Sequence, residues 1–131
     1  ALLDHARDLG RRFLLEQWSA AWTPSVRGAS NALGRTTPTA TRVEGLVALH
    51  RTLPAGDPLR GPVRRAVTRG AGFLLATQAG ADRGPIAGGF RAALHRWPGR
   101  AGFNASVDDV RVDYVQHAVS ALVGHLDLAG E

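Results

Sequence analysis

Asp113, His117, Ser120 and Gly124 recur at the spacing of one helical face; at 100° per residue all four fall within about 60° of one another. An aspartate and a histidine one turn apart can do proton chemistry, because the carboxylate orients the imidazole and the imidazole titrates near neutrality. The surrounding run, Arg111-Val112-Asp113-Tyr114-Val115-Gln116-His117, is dense in hydrogen-bonding side chains. Asp113, His117 and Tyr114 are therefore candidate catalytic residues, and Arg111 and Gln116 candidate substrate-binding ones. A second segment, Arg42-Val43-Glu44, repeats the Arg-Val-acid order of Arg111-Val112-Asp113. If the two segments occupy equivalent positions, Glu44 becomes the partner carboxylate, two acids can divide acid and base roles, and Arg42 joins the binding set. The competing reading is structural: a polar stripe opposite a core face is what any surface helix shows, and Glu44 can pair with Arg42 or Arg51 on the surface.

Other chemistries have less to stand on. The five histidines, at 5, 50, 95, 117 and 125, form neither an HExxH pattern nor a close cluster, and zinc needs three or four converging ligands, so no metal is expected and no cofactor is implied. There is no cysteine, which removes disulfides and thiolate sites. Neither a GxSxG nucleophile turn nor a GxxxxGK[ST] phosphate loop occurs; the turn from Gly84 to Gly89 could cradle an anion but reads more simply as a hairpin corner. All sixteen basic residues are arginine and the net charge is +5, which makes nucleic acid worth weighing. Arg60 and Arg64 lie near each other on a helix while Arg65 and Arg69 leave its other side, and every other predicted helix mixes Arg with Asp or Glu, so nucleic-acid binding is not expected.

These residues need rods to hold them. Residues 2 to about 20 place Leu2, Ala6, Leu9 and Phe13 on one side, with Leu3, Leu14 and Trp18 beside them, the spacing of an amphipathic helix. Thr23-Pro24 opens a polar loop over 25–36 whose Gly28, Ser30, Asn31 and Gly34 are turn formers. A second helix is expected from Thr37-Pro38 to about 53, since threonine caps an orphan N–H and a proline at the first helical position has none to orphan. Val43, Leu46, Leu49 and Leu53 cover its broad side, and Thr41, Glu44, Ala48 and Arg51 a narrower stripe opposite. Asp57-Pro58 repeats the start signal, and a third helix runs to about 78 through Val63, Ala66, Val67, Gly70 and Leu74. Residues 79–105 are irregular, yet Ile86, Phe90, Leu94, Trp97 and Phe103 make them too apolar for a disordered linker; a short helix is expected at 91–96. Ser106 with Asp109 resembles a capping box and should start a fourth helix over about 107–128, with Val112, Val115, Val119, Leu122 and Leu126 as its core side.

The pattern is all-α, four helices and a packed Gly/Pro-rich loop, in a single domain over residues 1–131 that is 44% hydrophobic. Arg12-Phe13-Leu14-Leu15 of the first helix lines up with Gly72-Phe73-Leu74-Leu75 of the third, as the Arg-Val-acid segments line up the second with the fourth. Two copies of a helix pair result, and such pairs normally stack because one cannot bury its own apolar faces. No apolar run reaches the ~18 residues that span a bilayer, so a soluble chain is expected, with the compartment open and the cytoplasm ahead.

The stretch Arg69-Gly70-Ala71-Gly72-Phe73-Leu74-Leu75-Ala76-Thr77-Gln78, followed after a loop by Gly88-Gly89-Phe90, resembles the QW-type repeat of terpenoid cyclases and protein prenyltransferases. The resemblance implies antiparallel helical hairpins closed into an α/α toroid, with inner helices lining a cavity. Phe90 stands where that pattern has tryptophan, the spacer is longer, and the chain carries neither the cyclases' aspartate-rich motif nor the prenyltransferases' zinc ligands. Carbohydrate epimerases, unsaturated-sugar hydrolases and polysaccharide lyases share the toroid and place acids, His, Tyr and Arg on its inner helices, which is the kit offered here. The expected function is thus a segment of an α/α-toroid enzyme acting on a sugar; the alternatives are a terpenoid-cyclase-like enzyme and a non-catalytic helical-repeat interaction module. A partial toroid needs a partner, so the chain, which contains no methionine, is expected to be a fragment or to be completed by another chain.

Overall fold

The computed structural model describes residues 1–19 and 26–130, the side chains of 18 and 19 aside; the expected Thr23-Pro24 loop start and the Trp18 side chain lie outside that description. The described residues are all-α, with isolated β-bridges in place of strands. In chain order they form α1 (Leu2–Ser19), α2 (Thr36–Thr52), α3 (Arg60–Thr77), a 3-10 segment (Ala81–Ile86), α4 (Ala101–Ala105) and α5 (Val112–Ala129). No described helix is long and apolar enough to cross a membrane.

Residue contacts give the helix directions. Gly10 abuts Leu49 and Phe13 approaches Gly45, so α1 runs antiparallel to α2. His117 meets Glu44, Gly124 meets Val47 and Asp127 meets Arg51, so α5 runs parallel to α2. α2 and α3 pack on each other, and each also packs on both α1 and α5. α2 is the central helix, packed most extensively on α3 and α5, and the shared core includes Val43, Leu46, Val63, Val67, Leu74, Phe90, Ala121 and Leu128.

Long polar side chains tie the layers. Gln17, buried on α1, donates from Nε2 to Gly28 O at 3.1 Å and Ala66 O at 2.9 Å, and its Oε1 accepts from Arg69. Arg60 donates to His50 O and Leu53 O, and Arg64 to Leu128 O. Two α3 arginines therefore satisfy carbonyls left over at the C-terminal ends of α2 and α5. Arg60 and Arg64, neighbours on α3, thus serve as clamps between helices.

Several local expectations are corrected. Thr37 does not cap α2: the helix begins one residue earlier, with Arg35 at the cap position and no side-chain cap bond. Tertiary contacts take over, since Thr36 donates its N–H to Ala92 O and its hydroxyl to Arg91 O, while Thr39 accepts from Ser30 N. Asp57 does accept a backbone N–H, from Leu59 at 2.9 Å, but α3 starts only at Arg60. Residues 91–96 are not helical; Arg91 bridges Val110 and Ala93 bridges Arg35, and the short helix is α4 instead. Ser106 closes α4, its hydroxyl donating to Phe103 O, and the last helix starts at Val112. The Gln78 to Phe90 segment forms the corner its glycines suggest: Gln78 bridges Phe90, its Nε2 donates to Gly88 O at 3.0 Å, and Gly88 adopts a φ of 80° that favours glycine.

The largest correction concerns α5. Three of its five expected core residues are outside: Val112 is 85% exposed, Leu126 68% and Val119 47%, and neighbouring Val123 is 52% exposed. Ala118, Ala121, Gly124 and Leu128 are buried instead, with Val115 and Leu122 packed at the margin. The small residues win because they let two helix backbones approach. A Cβ on Gly124 would lie 3.0 Å from Val47 Cγ1, closer than nearly all such contacts.

Candidate functional site

α2 and α5 run in register, so polar residues of one fall opposite polar residues of the other. Glu44 lies on the side of α2 opposite the core residue Leu46, and His117 on α5 reaches across to it, with Nδ1 2.9 Å from Glu44 Oε2. Both side chains are partly open, 28% exposed for Glu44 and 32% for His117. A carboxylate on Nδ1 holds the proton there and leaves Nε2 as the free, reactive nitrogen. Glu44 therefore pairs with neither Arg42 nor Arg51, the partners a surface reading would give it.

One turn further along, Glu44, Val47, Arg51, Ser120, Val123, Gly124 and Asp127 line a concavity of about 320 Å³. Gly124, which carries no side chain, leaves space open beside Val47. Arg51 and Asp127 close its far end with a 2.6 Å ion pair between two half-exposed groups. Ser120 and Gly124, members of the stripe seen in the sequence, thus flank the dyad, while Arg51 and Asp127 join them through helix register.

The remaining candidates separate. Asp113 sits at the start of α5 with its carboxylate 3.2 Å from Arg111 Nε, and the Arg111 guanidinium lies 5.5 Å from the centre of the Tyr114 ring. Gln116 is exposed. Tyr114 lines a second cavity, of about 150 Å³, with Arg35, Thr37, Pro38, Ala92, Ala93, Phe103, Ser106 and Val107. Arg42 faces the opposite side of α2: it pairs with Glu16, donates to Ser30 O and stacks 5.5 Å over Phe13. Arg42 is thus an α1–α2 tie and lies away from the groove. The Arg-Val-acid alignment is not one of equivalent positions either, since Val43 is buried and Val112 exposed.

Depressed carboxylates lie elsewhere. Asp57 is held below the ordinary carboxylate range by the Leu59 N–H and then by Arg7, and Asp108 by Arg96 and Arg91. Both brace loops and neither faces the groove. Among the described residues no group of three or more His, Asp or Glu side chains could hold a metal ion.

Compared with known proteins, the chain matches no family model, no curated protein sequence and no solved structure.

Proposed function

We propose that this chain is a segment of an α/α-toroid enzyme acting on carbohydrate, and that the groove between α2 and α5 is its reacting surface. The observation that carries the reading is the Glu44–His117 contact beside an open concavity of sugar-sized volume. In this mechanism His117 Nε2 takes a proton from, or returns one to, a bound sugar. Glu44 fixes the tautomer and stabilises the imidazolium that forms. Ser120, Arg51 and Asp127 offer donors and acceptors to hydroxyl groups. Glu44 is engaged with His117, which favours one-residue proton transfer of the epimerase or lyase kind over hydrolysis by two free carboxylates facing each other. The terpenoid-cyclase-like alternative finds little support, because among the described residues no aromatic lines the concavity to meet a carbocation.

The test is turnover of a carbohydrate panel followed by NMR, with the chain in its complete assembly. Glu44→Gln and His117→Gln should each lower turnover about 10²-fold or more while circular dichroism stays unchanged. Retained turnover in both variants rejects the reading. A second reading, a helical-repeat interaction module, draws on one specific observation: the exposed Val112, Val119, Val123 and Leu126 face of α5. It predicts that Val119→Glu weakens association with another chain while Glu44→Gln does not.

A further inference from the structure

The cavity that Tyr114 enters lies at the N-terminal end of the α2–α5 groove, and its lining has a distinct chemistry. It contains one cation, Arg35, and no carboxylate. The Arg35 guanidinium rests 5.2 Å from the centre of the Phe103 ring and pairs with no carboxylate among the described residues. Stacking on a ring face leaves the N–H edge of a guanidinium free to engage a planar or tetrahedral oxyanion. The Tyr114 hydroxyl makes no hydrogen bond among the described residues, and the Thr37 hydroxyl oxygen is sealed from solvent without a partner. Ser106 has spent its proton on Phe103 O. The unspent groups are therefore donors gathered round a space that holds no acceptor of matching charge.

Position connects this cavity to the dyad. Thr37 and Glu44 are seven residues apart, about 10 Å along one face of α2. Tyr114 precedes His117 by about one turn of α5. The dyad thus lies between two cavities that share no lining residue, and a molecule whose reacting carbon sits at His117 would reach Arg35 by following the α2–α5 seam.

We propose that the Arg35, Thr37 and Tyr114 cavity binds an oxyanion, carried by the substrate as a carboxylate or a phosphate, and so restricts the groove to anionic sugars. This rests on the acid–base reading of the dyad. The shared chemistry is a small group with two or three acceptor oxygens, received by the guanidinium edge and the phenol. Arg35 is solvent-exposed, and a guanidinium without a carboxylate partner gains charge-assisted hydrogen bonds when an oxyanion enters the cavity.

The experiment is a titration of the 15N-labelled chain, followed by amide shifts, with D-glucuronate, glucose 6-phosphate, glucose and inorganic phosphate as separate probes. The expected result is that glucuronate or glucose 6-phosphate shifts Thr37, Ala92 and Tyr114 together with Ser120, and the stronger of the two names the oxyanion. Arg35→Gln should weaken that binding about tenfold or more, Tyr114→Phe less, and Glu44→Gln little. Equal binding of glucose and glucuronate, unmoved by Arg35→Gln, would overturn the oxyanion pocket and leave the sugar groove standing. Inorganic phosphate shifting the pocket as strongly as any sugar, with Ser120 silent, overturns the link to the dyad. Silence from all four probes overturns the pocket and the groove reading together.

Discussion

α2 and α5 are parallel neighbours of nearly equal length, and α5 is the more apolar of the two, yet the fold encloses α2 and leaves much of α5 outside. α2 is enclosed by α1, α3 and α5, and its Val43, Leu46, Val47 and Leu49 are all buried. α5 meets only one side of the molecule. It spends its small residues there and turns Val112, Val119, Val123 and Leu126 outward. A helix buried on several sides uses its large side chains to fill space; one pressed against a neighbour uses Ala and Gly to come close. The same face of α5 that lies against Val47 at Gly124 brings His117 to Glu44 two turns earlier.

The comparison breaks most easily at Leu128. Leu128→Ala should cost about 2–5 kcal/mol, because the residue is sealed in the core, whereas Leu126→Ala two residues away should stay within about 0.5 kcal/mol. Urea unfolding measures both, and equal losses would mean that α5 is rotated from the position described. Next in size, Gly124→Leu should push α5 off Val47 at a cost of about 1–3 kcal/mol, while Ser120→Ala on the same face stays near neutral. A double-mutant cycle on Glu44→Gln and His117→Gln should return a coupling below about 1 kcal/mol, since both side chains are partly exposed. A coupling of several kcal/mol would make the pair a structural tie and weaken its catalytic reading.

The smallest effect concerns the brace between α1 and the α2–α3 connection. Arg7 Nη2 holds Asp57 at 2.8 Å, and Leu59 N–H holds it from the other side, so the folded carboxyl titrates below its unfolded value. The charged form is then favoured in the fold. The stability it contributes is present above the unfolded carboxylate value and is lost as pH falls through the lower folded one. Asp57→Asn should flatten the acid limb of a stability-versus-pH curve without altering its neutral plateau shape. An unchanged acid limb would show that other carboxylates dominate there.

The helices that carry the candidate site were legible because apolar residues at helical spacing identify a rod whatever it packs against, and α1, α2 and α3 lie close to their expected bounds. The polar stripe through Asp113, His117 and Ser120 was legible for the same reason. The start of α2 was less so: Thr37 has the right residue type for a cap, but Thr36, Asn31 and Thr39 form the network that sets the turn. Register between α2 and α5 was illegible, because pairing Glu44 with His117 depends on distances between segments far apart in the chain.

Composition and periodicity by themselves determined that this chain is helical, that residues 79–105 pack instead of floating, and that one face of the last helix bears the polar side chains Asp113, His117 and Ser120. Those are local properties, fixed by the geometry of a single rod. Only the tertiary structure decided which side of α5 is inside, that Arg42 serves α1 while Glu44 serves α5, and that Arg35 and Tyr114 share a cavity. Two apolar stripes on one helix are nearly equivalent in transfer free energy, and close packing of backbones chooses between them.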